Sequence, residues 1–375
     1  MFAAGNDLVS FIEEFAPSEW TLSGDVSGLQ WGDLRREVPA LILALDFSEE
    51  VLEEALRLGA SFIFTHHPYL YHPLKKLDLA NKREALLVRA LKDDITLYSA
   101  HTNLDVAHHG VSNALGNLFN LKNMKPLYST GMEELEKLVV FVPEGYEDKV
   151  RNAVSEAGAG CIGNYSHCTF QLPGTGTFLP MEGAAPFIGR EGTMEKVSEY
   201  RLETILPSRN RKKVLDALFD AHPYEEVAYD LYPLENEGQV WGLGRIGSLA
   251  EEITLKELAG MCEKLLQPAS LTIVGDEMMK VKKIAVLGGS GAHYLESVKQ
   301  SGCQVFISGD IKYHDAQKAR ELDLALIDAG HEATERPVLP VLAAFLRERM
   351  KRYGFQTEVI ISRESGALWR TRVKG

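Results

Sequence analysis

Cysteine is scarce in this chain, and its few cysteines stand apart from one another. There are four among 375 residues, and no two of them form a C-x-x-C pair. Without such pairs, the sequence favours neither a disulfide framework nor a thiolate zinc site. We therefore expect reduced thiols of the kind found in cytoplasmic proteins.

Positively charged residues are fewer than negatively charged ones, and long apolar runs are absent from the sequence. The 40 Lys and Arg residues are outnumbered by 53 Asp and Glu residues, for a formal net charge of −13. This balance disfavours a groove for a nucleic-acid backbone. No apolar run approaches the length that crosses a membrane, and residues 1–7 lack the basic and apolar segments of a secretory leader. We expect a soluble cytoplasmic protein with no membrane partner.

Complete nucleotide-binding motifs are missing as well. The glycine run at 288–291 follows an apolar stretch, but it matches neither G-x-x-x-x-G-K-[ST] nor the full G-x-G-x-x-G spacing. Close backbone packing or an anion held by free amide groups would explain the run equally well.

The chain is long, and its 375 residues are too many for one compact domain. Residues 131–234 follow a β-α-β-β-α-β pattern that fits an inserted ferredoxin-like α+β domain. Residues 1–130 and 235–375 then form a discontinuous outer α/β domain with central sheets. Residues 126–131 are predicted to be a linker.

Histidines at the ends of predicted strands are the main positive signal. Residues 38–45, 49–58 and 60–64 read as strand, helix and strand, which predicts a right-handed βαβ unit with parallel strands. The second strand runs directly into His66 and His67. Ligands bind at the carboxyl ends of strands in α/β sheets, so this pair can serve one cavity. Two surface histidines at a strand cap are the alternative for this stretch alone.

Two further predicted strands end in the same types of residue. One leads to His101 and Asp105, and the other leads to His331 and Glu335. The latter two lie four residues apart at a predicted helix start, so both side chains project from one face. The recurrence favours a shared site at the strand ends.

Three imidazoles and two carboxylates are therefore candidate metal ligands, namely His66, His67, Asp105, His331 and Glu335. A mixed nitrogen and oxygen set suits Zn, Mn, Fe, Co or Ni. Five ligands are too many for one catalytic zinc with an open position. We predict two divalent metal ions that share a bridging carboxylate.

The remaining histidines carry weaker signals. His101 is a candidate catalytic residue, as a proton shuttle or substrate contact, and His314 is a candidate outer donor. Either could instead be an ordinary satisfied histidine. Only His167 and His222 of the 11 histidines fall in the middle segment, so the chemistry is expected in the outer domain.

Five motifs occur in order along the chain: Thr65-His-His-Pro68, Ala100-His-Thr-Asn-Leu-Asp105, Gly288-Gly-Ser-Gly291, Ser308-Gly-Asp-Ile-Lys-Tyr-His314 and Asp328-Ala-Gly-His-Glu-Ala-Thr-Glu335. In this combination the chain closely resembles the Nif-three-like dinuclear-metal proteins, many of which are called GTP cyclohydrolase type 2 homologues. Its middle segment resembles the insert of longer members, which is similar to PII and CutA signalling proteins. The chain departs from the family pattern at one position. Val26 follows Asp25 here, whereas family members often have asparagine after this aspartate.

The resemblance implies that the five candidate ligands bind the metal ions and that the chain forms a toroidal homohexamer with its metal sites facing an internal cavity. It further implies a metal-dependent hydrolase of the GTP cyclohydrolase type, acting on a nucleotide-like or related small substrate. The alternative is a non-catalytic regulatory or metal-handling scaffold whose insert binds a small effector.

Overall fold

The structure, a computed structural model, describes residues 1–364. The chain divides into two compact units. Unit 1 combines Met1–Gly131 with the chain from Trp241 onwards, and unit 2 is Met132–Val240. Within the described range, no helix combines the length and the apolar character needed to cross a membrane.

Helices and strands alternate along most of the chain. The first part of unit 1 contains β1 (Ala3–Ala4), α1 (Gly5–Phe15), β2 (Gly28–Trp31), β3 (Glu37–Val38), β4 (Ala40–Ala44), α2 (Glu49–Leu58), β5 (Phe62–Thr65), α3 (Lys82–Lys92), β6 (Thr96–Ser99), α4 (Thr102–Val106), α5 (Val111–Leu118) and β7 (Lys122–Met132). Unit 2 contains β8 (Leu135–Pro143), α6 (Glu147–Glu156), β9 (Thr169–Phe178), β10 (Glu195–Pro207), α7 (Arg211–Ala221) and β11 (Tyr229–Leu234). The second part of unit 1 contains β12 (Val240–Thr254), α8 (Leu255–Leu266), β13 (Thr272–Val274), β14 (Lys280–Ser290), α9 (Leu295–Gln300), β15 (Val305–Gly309), α10 (Tyr313–Glu321), β16 (Ala325–Asp328), α11 (His331–Glu335), α12 (Val338–Tyr353) and β17 (Glu358–Ile361).

A five-stranded sheet in the order β17-β4-β5-β6-β2 forms the first core of unit 1. Its first four strands are parallel and β2 is antiparallel. Leu41 and Leu43 of β4 pack in the same core as residues of α1 and α12, whereas Ile42 packs with residues of α2 and α3. Because alternate strand residues face opposite sides of a sheet, helices cover both faces. The predicted βαβ unit with parallel strands is confirmed.

Helix α2 shows why the chain turns where it does between the first two parallel strands. The side chain of Ser48 accepts a hydrogen bond from the backbone N–H of Val51, which caps the first turn. The helix ends at Gly59, whose φ of 68° is the left-handed conformation that glycine adopts without strain. These two residues set the length of the connection that returns the chain to β5 and its histidines.

A six-stranded sheet in the order β13-β16-β15-β14-β12-β7 forms the second core of unit 1. Strands β14, β15 and β16 are parallel. Residues of α5 and α8 pack against one set of strand side chains, and residues of α9 and α10 pack against the other. The prediction of a linker at 126–131 is wrong, because these residues belong to β7. That strand lies at the sheet edge, where Pro126 is tolerated although it cannot donate a backbone hydrogen bond.

Unit 2 is a four-stranded antiparallel sheet in the order β11-β8-β10-β9. Leu138, Val140 and Leu202 of the sheet share one core with residues of α6 and α7, so both helices cover the same face. Between α6 and β10, the residues Thr169–Phe178 form the single strand β9.

Candidate metal centre

His66 and His67 stand where β5 ends. Their backbone N–H groups donate to the carbonyls of Ala44 and Leu45, at 3.2 and 2.9 Å. Pairing with the end of β4 therefore continues through His67, and the next residue is a proline. The neighbouring strand β6 delivers His101, which precedes α4, and Asp105 lies within that short helix.

The other candidate ligands come from the second sheet of unit 1. His331 and Glu335 are the first and last residues of α11, the short helix that follows β16. One helical turn separates them, so their side chains lie on the same face. Two different sheets thus contribute to one site, which the sequence alone did not indicate.

Glu335 lies at the centre of the cluster. Its Oε1 is 2.9 Å from Nε2 of His331 and 3.7 Å from Nε2 of His66, and its Oε2 is 3.2 Å from Nε2 of His67. Oδ1 of Asp105 lies 3.5 Å from Nε2 of His66. The structure therefore brings together all five residues that were predicted to bind metal.

Each imidazole of the cluster is oriented through its Nδ1 atom, which lies near an oxygen that accepts a hydrogen bond. The distances are 2.9 Å from His66 to the carbonyl of Ala100, 3.0 Å from His67 to Asp46, 2.7 Å from His101 to Asp25, and 2.7 Å from His331 to Asp310. A carbonyl or carboxylate at Nδ1 places the proton there, which leaves the Nε2 lone pair of the neutral ring free. This is the arrangement that metal-binding histidines commonly have.

Three buried atoms in this cluster have no hydrogen-bond partner among residues 1–364, namely Nε2 of His66, Oδ1 of Asp105 and Oε2 of Glu335. Leaving such atoms without a partner is costly, because their interactions with water are lost on burial. A divalent cation would satisfy all three. Two groups have ligand atoms within 4.8 Å of one another, His66 with His67 and His101, and His67 with His331 and Glu335. The histidine and glutamate groups of the structure could therefore hold a metal ion.

The electrostatics of the cluster also favour a cation. Burial lowers the pKa of His67, but the carboxylates of Asp46 and Glu335 outweigh burial and raise it to about 10. The hydrogen bond to Glu335 raises the pKa of His331 to about 9, against the opposing effect of burial. Burial raises the pKa of Glu335, yet the surrounding imidazoles hold it well below its ordinary value. Positive charge at the Nε2 atoms is therefore stabilised.

The glycine run at 288–291 serves close packing against this cluster. A Cβ on Gly289, whose φ is 71°, would collide with Oε1 of Glu335 and lie 3.2 Å from Nε2 of His331. The amide of Gly288 donates to the hydroxyl of Ser112 and that of Gly289 donates to the hydroxyl of Thr334. Since these two amides are already used, the packing explanation is favoured over an anion site.

Replacing Gly289 with alanine should weaken metal binding by about tenfold or more, because the added methyl group displaces the Glu335 carboxylate. Gly302→Ala is a matched control, since Gly302 has a φ of 74° but its Cβ would meet nothing closer than Nζ of Lys283 at 3.6 Å. Both variants carry the strain of a left-handed alanine, on the order of 1–2 kcal/mol. Metal titration by calorimetry compares them, and equal affinities would show that the collision is unimportant.

Sequence reasoning missed the acidic residues that orient the imidazoles. Asp46 follows β4 closely and Asp310 follows β15 directly, so their position at strand ends was the available signal. Asp25 accepts from His101, and Val26 beside it takes no part in this contact. His314 is exposed, its Nδ1 lies 2.9 Å from Gln317, and it belongs to neither group of possible ligands within the described residues.

Comparison with known proteins gives consistent results over nearly the whole chain. Residues 3–366 match the family described as Duf34/NIF3 (NGG1p interacting factor 3). The chain is 40% identical over 360 residues to a GTP cyclohydrolase 1 type 2 homolog of Halalkalibacterium halodurans, which is 96% of each chain. It is 42% identical over 329 residues to the protein of that name in Bacillus subtilis, 88% of each chain.

Solved structures agree. A Bacillus cereus protein related to NIF3 superimposes with a TM-score of 0.92 at 40% identity, covering 99% of this chain and 100% of that one. A Staphylococcus aureus protein superimposes with a TM-score of 0.74 at 26% identity over 99% of each chain. The resemblance seen in the sequence motifs is confirmed, and the chain belongs to the Duf34/NIF3 family.

Proposed function

We propose that this protein is a hydrolase that depends on two divalent metal ions and acts on a nucleotide-like or related small substrate. The proposed ligands are His66, His67, Asp105, His331 and Glu335. The observation that carries the proposal is the set of three buried, unpartnered atoms on His66, Asp105 and Glu335, surrounded by imidazoles whose Nδ1 atoms are already engaged. The name GTP cyclohydrolase 1 type 2 homolog of its relatives supports the substrate class.

His67, His331 and Glu335 form one possible ligand group, and beside it Oδ1 of Asp105 lies 3.5 Å from Nε2 of His66, which supports two adjacent ions rather than one. Glu335 directs its two oxygens towards different imidazoles, Oε1 towards His331 and Oε2 towards His67. A carboxylate in this position can offer one oxygen to each ion. Divalent ions held in such a pair lower the pKa of water and polarise a carbonyl or phosphoryl oxygen.

Other residues of the site orient the imidazole rings and transfer protons. Asp46, Asp310 and the carbonyl of Ala100 fix the ring orientations, which keeps the Nε2 atoms pointed at the centre. Burial raises the pKa of Asp25, but its contacts with His101 and Thr102 lower it to about 2. Asp25 therefore stays ionised at neutral pH and holds the Nδ1 proton of His101. The Nε2 atom of His101 is then free to accept a proton from the reacting group and return it.

The test uses purified protein, metal-loaded and metal-stripped, incubated with guanosine triphosphate and a panel of nucleotides and phosphodiesters, with products followed by mass spectrometry. We expect turnover only with metal. His101→Asn should lower kcat by roughly 100-fold with unchanged metal content, whereas the control His314→Asn should leave both unchanged. Turnover equal in the stripped protein would refute the proposal.

The same experiment separates the second candidate function, a regulatory or metal-handling scaffold. Its specific support is a cavity within unit 2 whose lining is mostly apolar, as the binding of a small effector would require. Stoichiometric metal binding without turnover of any substrate would favour this candidate. A fall in metal content on replacing His101 would instead identify that residue as a ligand.

We also propose that residues 131–234 form an inserted ferredoxin-like domain within an outer domain made of residues 1–130 and 235–375. The support is the strand order of unit 2, in which the fourth strand pairs with the first, the first with the third and the third with the second. Four free cysteines support a cytoplasmic location. The toroidal homohexamer implied by the resemblance is proposed as the assembly, and sedimentation measurements test it.

A further inference from the structure

Unit 2 contains a cavity of about 700 Å³ that lies apart from the metal-binding residues in the sequence and within one compact unit. Its walls come from β9, from residues 179–188 and from residues 224–228, together with side chains of β8 and β10. Phe141, Glu199 and Arg201 alternate along their strands with the residues that face α6 and α7. The cavity therefore lies on the sheet face opposite the helices.

One carboxylate is buried in this wall. Glu199 is only 9% exposed, and its Oε1 accepts a hydrogen bond from the hydroxyl of Tyr224 at 3.0 Å. Its Oε2 accepts no hydrogen bond from any of residues 1–364. Gly176 lines the cavity beside it, and a Cβ at this position would collide with Oε2. The backbone is thus shaped to leave room for a carboxylate that has a free oxygen.

Negative charge dominates the cavity. Glu199, Glu225 and Glu226 line it, against the single guanidinium of Arg201. The Nε of Arg201 already donates to Glu203 at 2.8 Å. Such a wall repels anionic ligands and attracts cations. Burial, together with the Glu199 carboxylate, also raises the pKa of Tyr224, so its hydroxyl keeps the proton that it donates.

Aromatic side chains surround the same carboxylate. The ring of Tyr224 lies 6.0 Å from that of Phe178 and 6.3 Å from that of Phe187, measured between centroids. All three residues line the cavity, and most of its other lining residues are apolar. Aromatic faces attract organic cations, and a concave apolar pocket with few polar groups is the usual form of a small-molecule site.

We propose that this cavity binds a small organic cation, a primary amine or amidinium group attached to an aromatic or aliphatic body. The cationic group pairs with Glu199 beside Tyr224, and the apolar body fills the space between β9 and residues 179–188. This site would add a ligand-binding activity to the protein that does not depend on the metal centre. Charge complementarity favours a small cation over a second copy of this chain, whose net charge is −13.

The test uses the full-length protein and three probes of one shape, 4-phenylbutylamine, 4-phenylbutanol and 4-phenylbutanoate, in titration calorimetry. The amine should bind saturably, with one site per chain, and at least about tenfold more tightly than the other two probes. Glu199→Gln should weaken amine binding by about tenfold or more, because the charge is lost while the side-chain shape is kept. The control Glu156→Gln, an exposed residue of the same unit, should bind as the wild type does.

A second variant tests the cavity independently, in case Glu199→Gln fails to fold. Ala184→Trp places a large side chain in the cavity and should abolish amine binding with the carboxylate intact. Equal binding of the three probes, no saturable binding of the amine, or wild-type affinity in Glu199→Gln would overturn the proposal. Sedimentation velocity is run alongside, and dissociation of an oligomer by Ala184→Trp would show instead that a second copy of the chain covers this face.

Discussion

Glu335→Ala is expected to lower the occupancy of both metal ions together, whereas His331→Ala should weaken mainly one. The carboxylate of Glu335 is 4% exposed and lies near three imidazoles, with its two oxygens directed towards different rings. In the proposed centre, its two oxygens would allow it to contact both ions. Removing it would also take a negative charge away from the place where the two ions would lie, so their mutual repulsion would be less compensated.

Glu335→Ala should lower the affinity for metal by more than the roughly 10–100-fold loss that follows removal of a residue that only orients a ligand. Glu335→Gln should give an intermediate result, since an amide keeps one oxygen and loses the charge. Inductively coupled plasma mass spectrometry counts the ions per chain in each variant. Circular dichroism shows whether the variants are folded before their metal content is compared.

Glu332→Ala is the matched control, because Glu332 lies in the same short helix and pairs with Arg336 at 3.1 Å rather than with an imidazole. Its metal content should equal that of the wild type. If Glu335→Ala retained both ions at wild-type stoichiometry, the bridging role would be wrong. If His331→Ala also lost both ions, the two sites would be coupled and their separate assignment would fail.

The strand ends were the part of the site that the sequence could predict. Hydrophobic runs followed by His66, by His101 or by His331 are local patterns, and the strands do end close to these residues. The meeting of two sheets at one centre is not local. It depends on how α11, at the end of β16, packs beside the end of β5, and no spacing along the chain encodes that contact.

The residues that orient the imidazoles could not be predicted from local sequence patterns either. Asp46 precedes His67 by 21 positions and Asp310 precedes His331 by the same separation, so neither pair has a short-range signature. Each aspartate comes from the strand next to the one that delivers its histidine. Two adjacent parallel strands therefore supply one ligand and one orienting carboxylate, which is a tertiary relation.

The error at residues 126–131 has a different cause. Proline, serine, threonine and glycine occur together there, and such clusters are typical of loops. The sheet overrides this local preference, because β7 lies at an edge and pairs with one neighbour only. A proline on an edge strand costs no hydrogen bond on its open side.

The last expected result concerns Arg245, a buried cation that lies outside the proposed metal ligands. It is 2% exposed, its Nη1 donates to the carbonyls of Gly242 and Gly244 at 2.7 and 2.8 Å, and its Nη2 donates to the carbonyl of Ala107 at 2.8 Å. Burial lowers its pKa to about 10, so it remains charged at neutral pH. Ala107 directly follows α4, the helix that carries Asp105.

Arg245→Met should lower the free energy of unfolding of unit 1 by about 3 kcal/mol, because three carbonyl groups lose their donors together. Tryptophan fluorescence during urea unfolding measures this change selectively, since residues 132–240 contain no tryptophan. Arg57→Met, at an exposed position of α2, is the control and should change the midpoint little. A shift in Arg245→Met no larger than that of the control would mean that these hydrogen bonds do not stabilise the fold. A large shift accompanied by reduced metal content would further show that Arg245 secures the helix on which Asp105 lies.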